Sequence, residues 1–185
     1  MKSFINRNSV KKSIITCCLL MSPLMIQAYT NSSLQEISIE GNDGGYYNGD
    51  SWNSSMLKGK TTMLMYVDPD EKNKGEVFKP IIEKFEKDLD FNKFQIVVVL
   101  NLNATWKPNA LIKSLMKSKL TDYPKRIYIL DNNSVLVKKW GLNDNEYNTL
   151  VINKDAEVIY SHSGNWDKEA MRKIDSIIRQ EVTKK

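Results

Sequence analysis

The chain has 185 residues, 27 Lys and Arg against 22 Asp and Glu for a formal charge of +5, and two cysteines. That length supplies one compact core and is short for two. A single histidine, His162, excludes Cys–His dyads and multi-histidine metal sites.

Residues 1–28 have the three parts of a secretion signal: a basic lead with Lys2, Arg7, Lys11 and Lys12, an apolar run from Ile14 to Ile26, and a small residue at Ala28. Cleavage after Ala28 is expected. Pro23 interrupts the apolar run, which also falls short of the roughly 20 residues that span a bilayer. Both cysteines, Cys17 and Cys18, lie inside this segment, and neither follows the small residue of a lipid-attachment site. The expected product is a periplasmic protein in which residues 29–185 form one domain without a thiol, touching the membrane only through its transient signal. The leader also holds four of the 27 basic residues and no acid, which leaves 23 basic against 22 acidic. A near-neutral exported domain has no field to steer a polyanion, so no nucleic-acid partner is expected. Lys113, Lys117 and Lys119 read as a solvated helix face.

Along the remainder, Leu34 to Ile39 alternates as an edge strand would, and Gly41 to Asp50 has the Gly, Asn and Asp content of a loop. Trp52 to Leu57 forms a short turn-like or helical element before Thr62 to Val67, whose nearly unbroken apolarity suits a strand buried on both faces. Glu76 to Leu89 sets Val77, Phe78, Ile81, Ile82, Phe85 and Leu89 at helical spacing, with Pro80 tolerable only near the helix start. Phe94 to Leu100 is the strongest strand signal, and the two strands flanking a helix predict a right-handed parallel crossover.

Ala110 to Leu120 predicts a helix with Leu111, Ile112, Leu115, Met116 and Leu120 inward, and Arg126 to Leu130 a further strand, stopped by Asp131-Asn132-Asn133. Ser134 to Trp140 fits either strand or helix. Thr149 to Ile152 and Val158 to Ser161 flank a turn at Asn153 to Ala156 and predict a hairpin. A last helix runs from Asp167 to about Val182, capped by Asn165 or Asp167. The fold class is therefore α/β, a mixed central sheet with helices on both faces.

Trp52-Asn-Ser-Ser-Met-Leu-Lys-Gly-Lys60 before a buried strand resembles the approach to the core strand in the peroxiredoxin and periplasmic thioredoxin-like group. Tyr123-Pro124, Asp131, Val135 to Leu142 and the hairpin from Thr149 to Val158 resemble that group's closing region. With the leader and the Trp-x-Leu segment, the chain is most similar to the YtfJ-type family of exported bacterial proteins. The resemblance implies a thioredoxin-like αβα sandwich of three layers. Redox members of the wider group carry a cysteine just after the core strand, where a helix N-terminus favours the thiolate. This chain has Asp68-Pro-Asp-Glu-Lys-Asn73 there. Redox members also carry a cis-proline before the hairpin strand, whereas this chain has Asn145-Glu-Tyr-Asn148. A cis bond without proline costs about 2.5 to 4 kcal/mol and is not expected.

Asp68, Asp70 and Glu71 offer the oxygen ligands of a hard-cation site, yet lack a calcium-loop spacing, and acids in a first helical turn are explained by the helix dipole. No metal or cofactor is therefore expected. Asp144 and Glu146 fall at the same end of the sheet and, with Asp68 and Asp70, form the candidate set for acid–base work. Trp106, in a loop at the carboxyl end of a strand, is the candidate partner contact. His162 reads as a surface residue. These readings favour a binding or interaction module for an unknown periplasmic protein or small ligand. The alternative is an enzyme or accessory of envelope redox pathways that uses Asp68 to Asn73 with Asp144 or Glu146.

Overall fold

The computed structural model describes residues 32–71 and 76–184. The leader, both cysteines, and Lys72 and Asn73 lie outside them. The strands are β1 (Ser32–Ser33), β2 (Ser38–Ile39), β3 (Gly44–Tyr46), β4 (Trp52–Asn53), β5 (Thr61–Val67), β6 (Phe94–Asn101), β7 (Arg126–Asp131), β8 (Tyr147–Ile152) and β9 (Glu157–Ser163). The helices are α1 (Lys79–Asp88), α2 (Asn109–Asp122), α3 (Val135–Trp140) and α4 (Lys168–Thr183). The main sheet runs in the order β1-β9-β8-β5-β6-β7-β3, and β2 pairs β4 in a separate ribbon.

Parallel pairing of β5 with β6 and of β6 with β7 puts three carboxyl ends at one edge, with β8 antiparallel on the other side of β5. All seven residues of β5 are buried, as a strand covered on both faces requires. Alternation divides its side chains: Met63, Met65 and Val67 face one cluster, with Phe78, Ile82 and Phe85 of the α1 region and Ile174 and Ile178 of α4. Leu64 and Tyr66 face the other, with Leu136 and Trp140 of α3 and Trp52. Ile112 and Met116 of α2 pack on Leu100, Tyr128 and Leu130, and Val98 touches both this group and the α1–α4 cluster. Three helices therefore cover one face, and α3 with the β2–β4 ribbon covers the other. Each large apolar side chain withdrawn from water contributes about 1.5 to 3 kcal/mol, so the two faces of β5 alone account for much of the core.

The helix ends follow from local chemistry. Pro80 falls in the first turn of α1, where its missing N–H costs nothing, so the helix begins at Lys79 rather than Glu76. Val77 consequently lies before the helix and is exposed, contrary to its predicted place in the core. Asp167 caps α4 by accepting from the backbone N–H of Glu169 and Ala170, at 2.9 and 2.8 Å. Leu111 and Leu115 are also exposed, because only Ile112, Met116 and partly Leu120 of α2 reach the sheet.

Two expectations near the start are corrected. Leu34 to Ile39 is not one strand: pairing is confined to Ser32–Ser33 against β9 and Ser38–Ile39 against β4. Nor is Gly41 to Asp50 wholly loop, since Gly44–Tyr46 closes the sheet edge against β7. That strand is hard to read because its first two residues are glycines, at φ 118° and 129°. A β-carbon on Gly44 would fall on the Leu130 carbonyl, and one on Gly45 on the Asp50 carbonyl. Backbone contact, not strand propensity, selects the residues. Gly44→Ala is therefore expected to destabilise the fold by at least about 2 kcal/mol in urea unfolding, and a change within about 0.5 kcal/mol would contradict the close approach.

Candidate functional site at the carboxyl edge of the sheet

The edge where β5, β6 and β7 end is organised by a carboxylate that the sequence marks only as the stop of a strand. Asp131 is fully buried at the end of β7. Its Oδ1 accepts from the backbone N–H of Val135 at 2.8 Å and of Asn133 at 3.3 Å. Its Oδ2 accepts from the Leu136 N–H at 3.0 Å and from the Tyr66 hydroxyl at 3.1 Å. A buried acidic side chain is costly unless its acceptor capacity is filled, and these donors fill it. They also settle the ambiguous segment as helix α3, since its first N–H groups find their acceptor in Asp131.

Ser134, buried and in the left-handed region at φ 51°, turns the chain from β7 into α3. A β-carbon there costs of order 1 kcal/mol. The turn aims the following N–H groups at Asp131, and the Ser134 hydroxyl donates to Asn101 Oδ1 at 2.9 Å. Asn103 Nδ2 donates to the Ser134 hydroxyl oxygen at 3.2 Å, and Asn101 Nδ2 donates to Asp144 Oδ1 at 2.7 Å. Tyr66, Asp131, Ser134, Asn101 and Asp144 thus tie β5, β7, β6 and the loop before β8 together. Across that loop, Asn148 holds its own turn by accepting from the Asn143 N–H and donating to the Asn143 carbonyl, at 3.0 and 2.8 Å.

The acids named from sequence surround this network. Asp68 is buried just past β5; its Oδ1 accepts from the Asp70 N–H at 2.8 Å, and its own N–H reaches the Glu146 carbonyl at 3.4 Å. The segments holding Asp68 and Glu146 are therefore neighbours, as expected from their place at one end of the sheet. Asp70 points elsewhere: it pairs with the Lys107 ammonium and accepts from the Thr105 hydroxyl at 3.0 Å. Asp144 is exposed and engaged by Asn101, and Glu71 and Glu146 are half-buried. Asp68, Asp70 and Glu71 fall in and beside a short 3-10 turn, Pro69–Glu71. Among the described residues no group of three or more His, Cys, Asp or Glu is placed to hold a metal ion.

Trp106 lies in the loop that Asp70 clasps through Thr105 and Lys107, and it is 83% exposed, with the Lys107 ammonium 5.4 Å from its ring centre. No peptide among the described residues is cis, and the loop before β8 instead turns at Asn145, with φ 54°. On the α1–α4 face, Tyr147 stacks on Phe78 at 4.8 Å, Phe78 meets Trp166 at 4.3 Å, and His162 lies 4.3 Å from Trp166. His162 is thus half-buried in an aromatic row, with Nε2 2.9 Å from the Asn165 carbonyl, rather than a free surface residue. The Trp166 Nε1 and Thr149 hydroxyl are buried without a protein partner.

Parallel core strands, a flanking hairpin and helices on both faces define a thioredoxin-like fold whose carboxyl edge is built from acids, amides and hydroxyls. Solved thioredoxin-like structures share this architecture. The chain matches the exposed lipoprotein thioredoxin of Streptococcus pneumoniae at TM-score 0.58 and 16% identity, covering 77% of this chain and 99% of that one. It matches a thiol-disulfide isomerase of Corynebacterium glutamicum at TM-score 0.57 and 12% identity, covering 85% and 98%. Residues 27–181 match the family described as bacterial protein of unknown function, YtfJ_HI0045, and the chain belongs to that family. It is 22% identical over 182 residues to the uncharacterized protein YtfJ of Escherichia coli (strain K12), covering 93% of this chain and 98% of the relative.

Burial gives the site a measurable titration. The Tyr66 hydroxyl is held well above its ordinary value by burial first and by the adjoining Asp131 charge second. Burial also raises Tyr147, and pushes Tyr128 up to about 12 against the opposing pull of Arg126. A group whose pKa is raised on folding stabilises the fold fully below its unfolded value, near 10 for tyrosine, and loses that contribution as pH rises through the folded value. Phenolate absorbance at about pH 11 should therefore leave Tyr66, Tyr128 and Tyr147 un-ionised while the fold holds, and unfolding free energy should fall above about pH 10. Full ionisation of all 8 tyrosines in the folded protein would contradict the burial.

Proposed function

We propose that this protein is an exported thioredoxin-like binding module that works without thiol chemistry. The observation that carries this is the segment following β5. Where redox thioredoxin-like proteins hold a nucleophilic cysteine, this chain has Asp68 to Glu71, with Asp70 occupied by Lys107 and Thr105 of the neighbouring loop. A thiol at that position would exchange electrons; a carboxylate with an ammonium partner has no such chemistry.

Export is supported by the signal-like composition of residues 1–28, which contain both cysteines of the chain. It is supported too by the likeness in fold to a lipoprotein thioredoxin whose name describes it as exposed. Loss of the leader leaves 29–185 without sulfur nucleophiles. The partner is an envelope component recognised by the edge that carries Trp106, because exposed aromatics beside a rigid scaffold are the usual anchors of recognition.

The test is an insulin-reduction and peroxide-consumption assay on the protein recovered from the cell envelope, with its N-terminus read by mass spectrometry. Neither activity is expected above the uncatalysed rate. Turnover that Asp70→Ala abolishes would instead favour an enzyme acting through the modified loop. Turnover lost on replacing Cys17 and Cys18 would show that the leader thiols are retained and in use.

A further inference from the structure

We infer that Trp106 and the outer face of α2 dock on an anionic phospholipid surface, which names a partner class for the binding module proposed above and rests on that reading. Five large hydrophobic side chains are exposed among the described residues, and three of them are Trp106 at 83%, Leu111 at 48% and Leu115 at 57%. Leu111 and Leu115 are four residues apart and so share one side of α2, while Ile112 and Met116 hold the side about 100° round from it against the sheet. The helix thus carries two leucines exposed to solvent beside its core-facing side.

The charge around these leucines is mostly positive. From Leu102 to Thr121 the sequence contains Lys107, Lys113, Lys117 and Lys119 and no acid, although residues 29–185 as a whole hold 23 basic against 22 acidic residues. Lys107 is committed to Asp70, but Lys113, Lys117 and Lys119 enter no ion pair among the described residues. At about 100° per residue Lys119 stands one turn beyond Leu115, while Lys117 and then Lys113 bound the far edge of the exposed arc, past Ser114 and Ser118. Two acids lie close to this surface: Asp70 pairs with Lys107, and Asp122 continues the line of Leu111 and Leu115 at the carboxyl end of the helix.

An anionic bilayer fits this face better than a protein does. Every cation here is Lys rather than Arg, and Lys is depleted at protein interfaces, where Arg supplies directional hydrogen bonds. Tryptophan and leucine beside lysines are the composition of helices that lie in the headgroup layer, with long ammonium stems reaching to the phosphates. A second copy of the chain would set lysine against lysine.

Vesicle binding of the protein as the cell retains it tests this, read through tryptophan emission. Trp52, Trp140 and Trp166 are buried, so water-exposed emission belongs to Trp106. Vesicles of phosphatidylglycerol with phosphatidylethanolamine should blue-shift that emission and shield it from acrylamide, phosphatidylcholine vesicles should not, and about 0.5 M salt should reverse the shift. Leu111→Ser with Leu115→Ser, and separately Lys113→Glu with Lys117→Glu and Lys119→Glu, should each weaken binding at least about tenfold with circular dichroism unchanged. Because these variants differ only on α2, any retained leader contributes equally to all. Equal binding to neutral vesicles, variants that bind like the wild type, or no vesicle binding would overturn the inference. If polyglutamate shifted the emission and anionic vesicles did not, the partner would be an acidic polypeptide. None of these outcomes bears on the thiol assays, so the two readings fail separately.

Discussion

A carboxyl group sealed from water is tolerated only where donors surround it, and in this protein that requirement organises one end of the fold. Asp131 at the close of β7 draws the first N–H groups of α3 and the Tyr66 hydroxyl of β5 onto its two oxygens. Removing the acceptor would leave those buried donors unpaired, each at a cost of about 1 to 3 kcal/mol. The left-handed turn at Ser134 is acceptable because it completes this arrangement, and Asn101 extends it to Asp144 and the loop before β8. Sheet, helix and loop share their positions through one polar hub.

The consequence for function lies in what occupies that edge. In a parallel α/β sheet the carboxyl ends of the strands are where the chain can present groups on a rigid base. Redox thioredoxin-like proteins present sulfur there. Here Asp68 turns back onto the Asp70 N–H, and Asp70 clasps the loop bearing Trp106 through Lys107 and Thr105. The geometry spends its charged groups on holding loops and leaves an aromatic side chain outermost. Shape and surface charge are what such an edge can offer a partner.

Much of the fold was legible from residue pattern. The nearly unbroken apolarity of Thr62 to Val67 and of Phe94 to Leu100, the hairpin turn at Asn153 to Ala156, and the spacing of Ile174 and Ile178 each have a direct periodic or turn signature. What was not legible depends on contacts distant in sequence. Gly44 and Gly45 are strand residues because backbone crowds them, which no propensity reports. Leu111 and Leu115 fit a helical period but face outward, since periodicity gives spacing and not which side the sheet occupies. At the edge, Asp68, Asp70 and Glu146 were placed at one end of the sheet by position, while Asp131 was read only as the stop of a strand and Tyr66 as one more apolar position. The trace of their pairing was an Asp standing four and five residues before Val135 and Leu136, a capping pattern visible only once that segment is known to be helical.

Native-state hydrogen exchange on Asp131→Ala, residue by residue, tests the hub most directly. The Val135 and Leu136 amides should lose at least about tenfold more protection than those of Val97 and Val99 in β6, because their acceptor is removed while the sheet ladder remains. A uniform fall across all of these amides, or unchanged protection at α3, would show that Asp131 does not organise the edge.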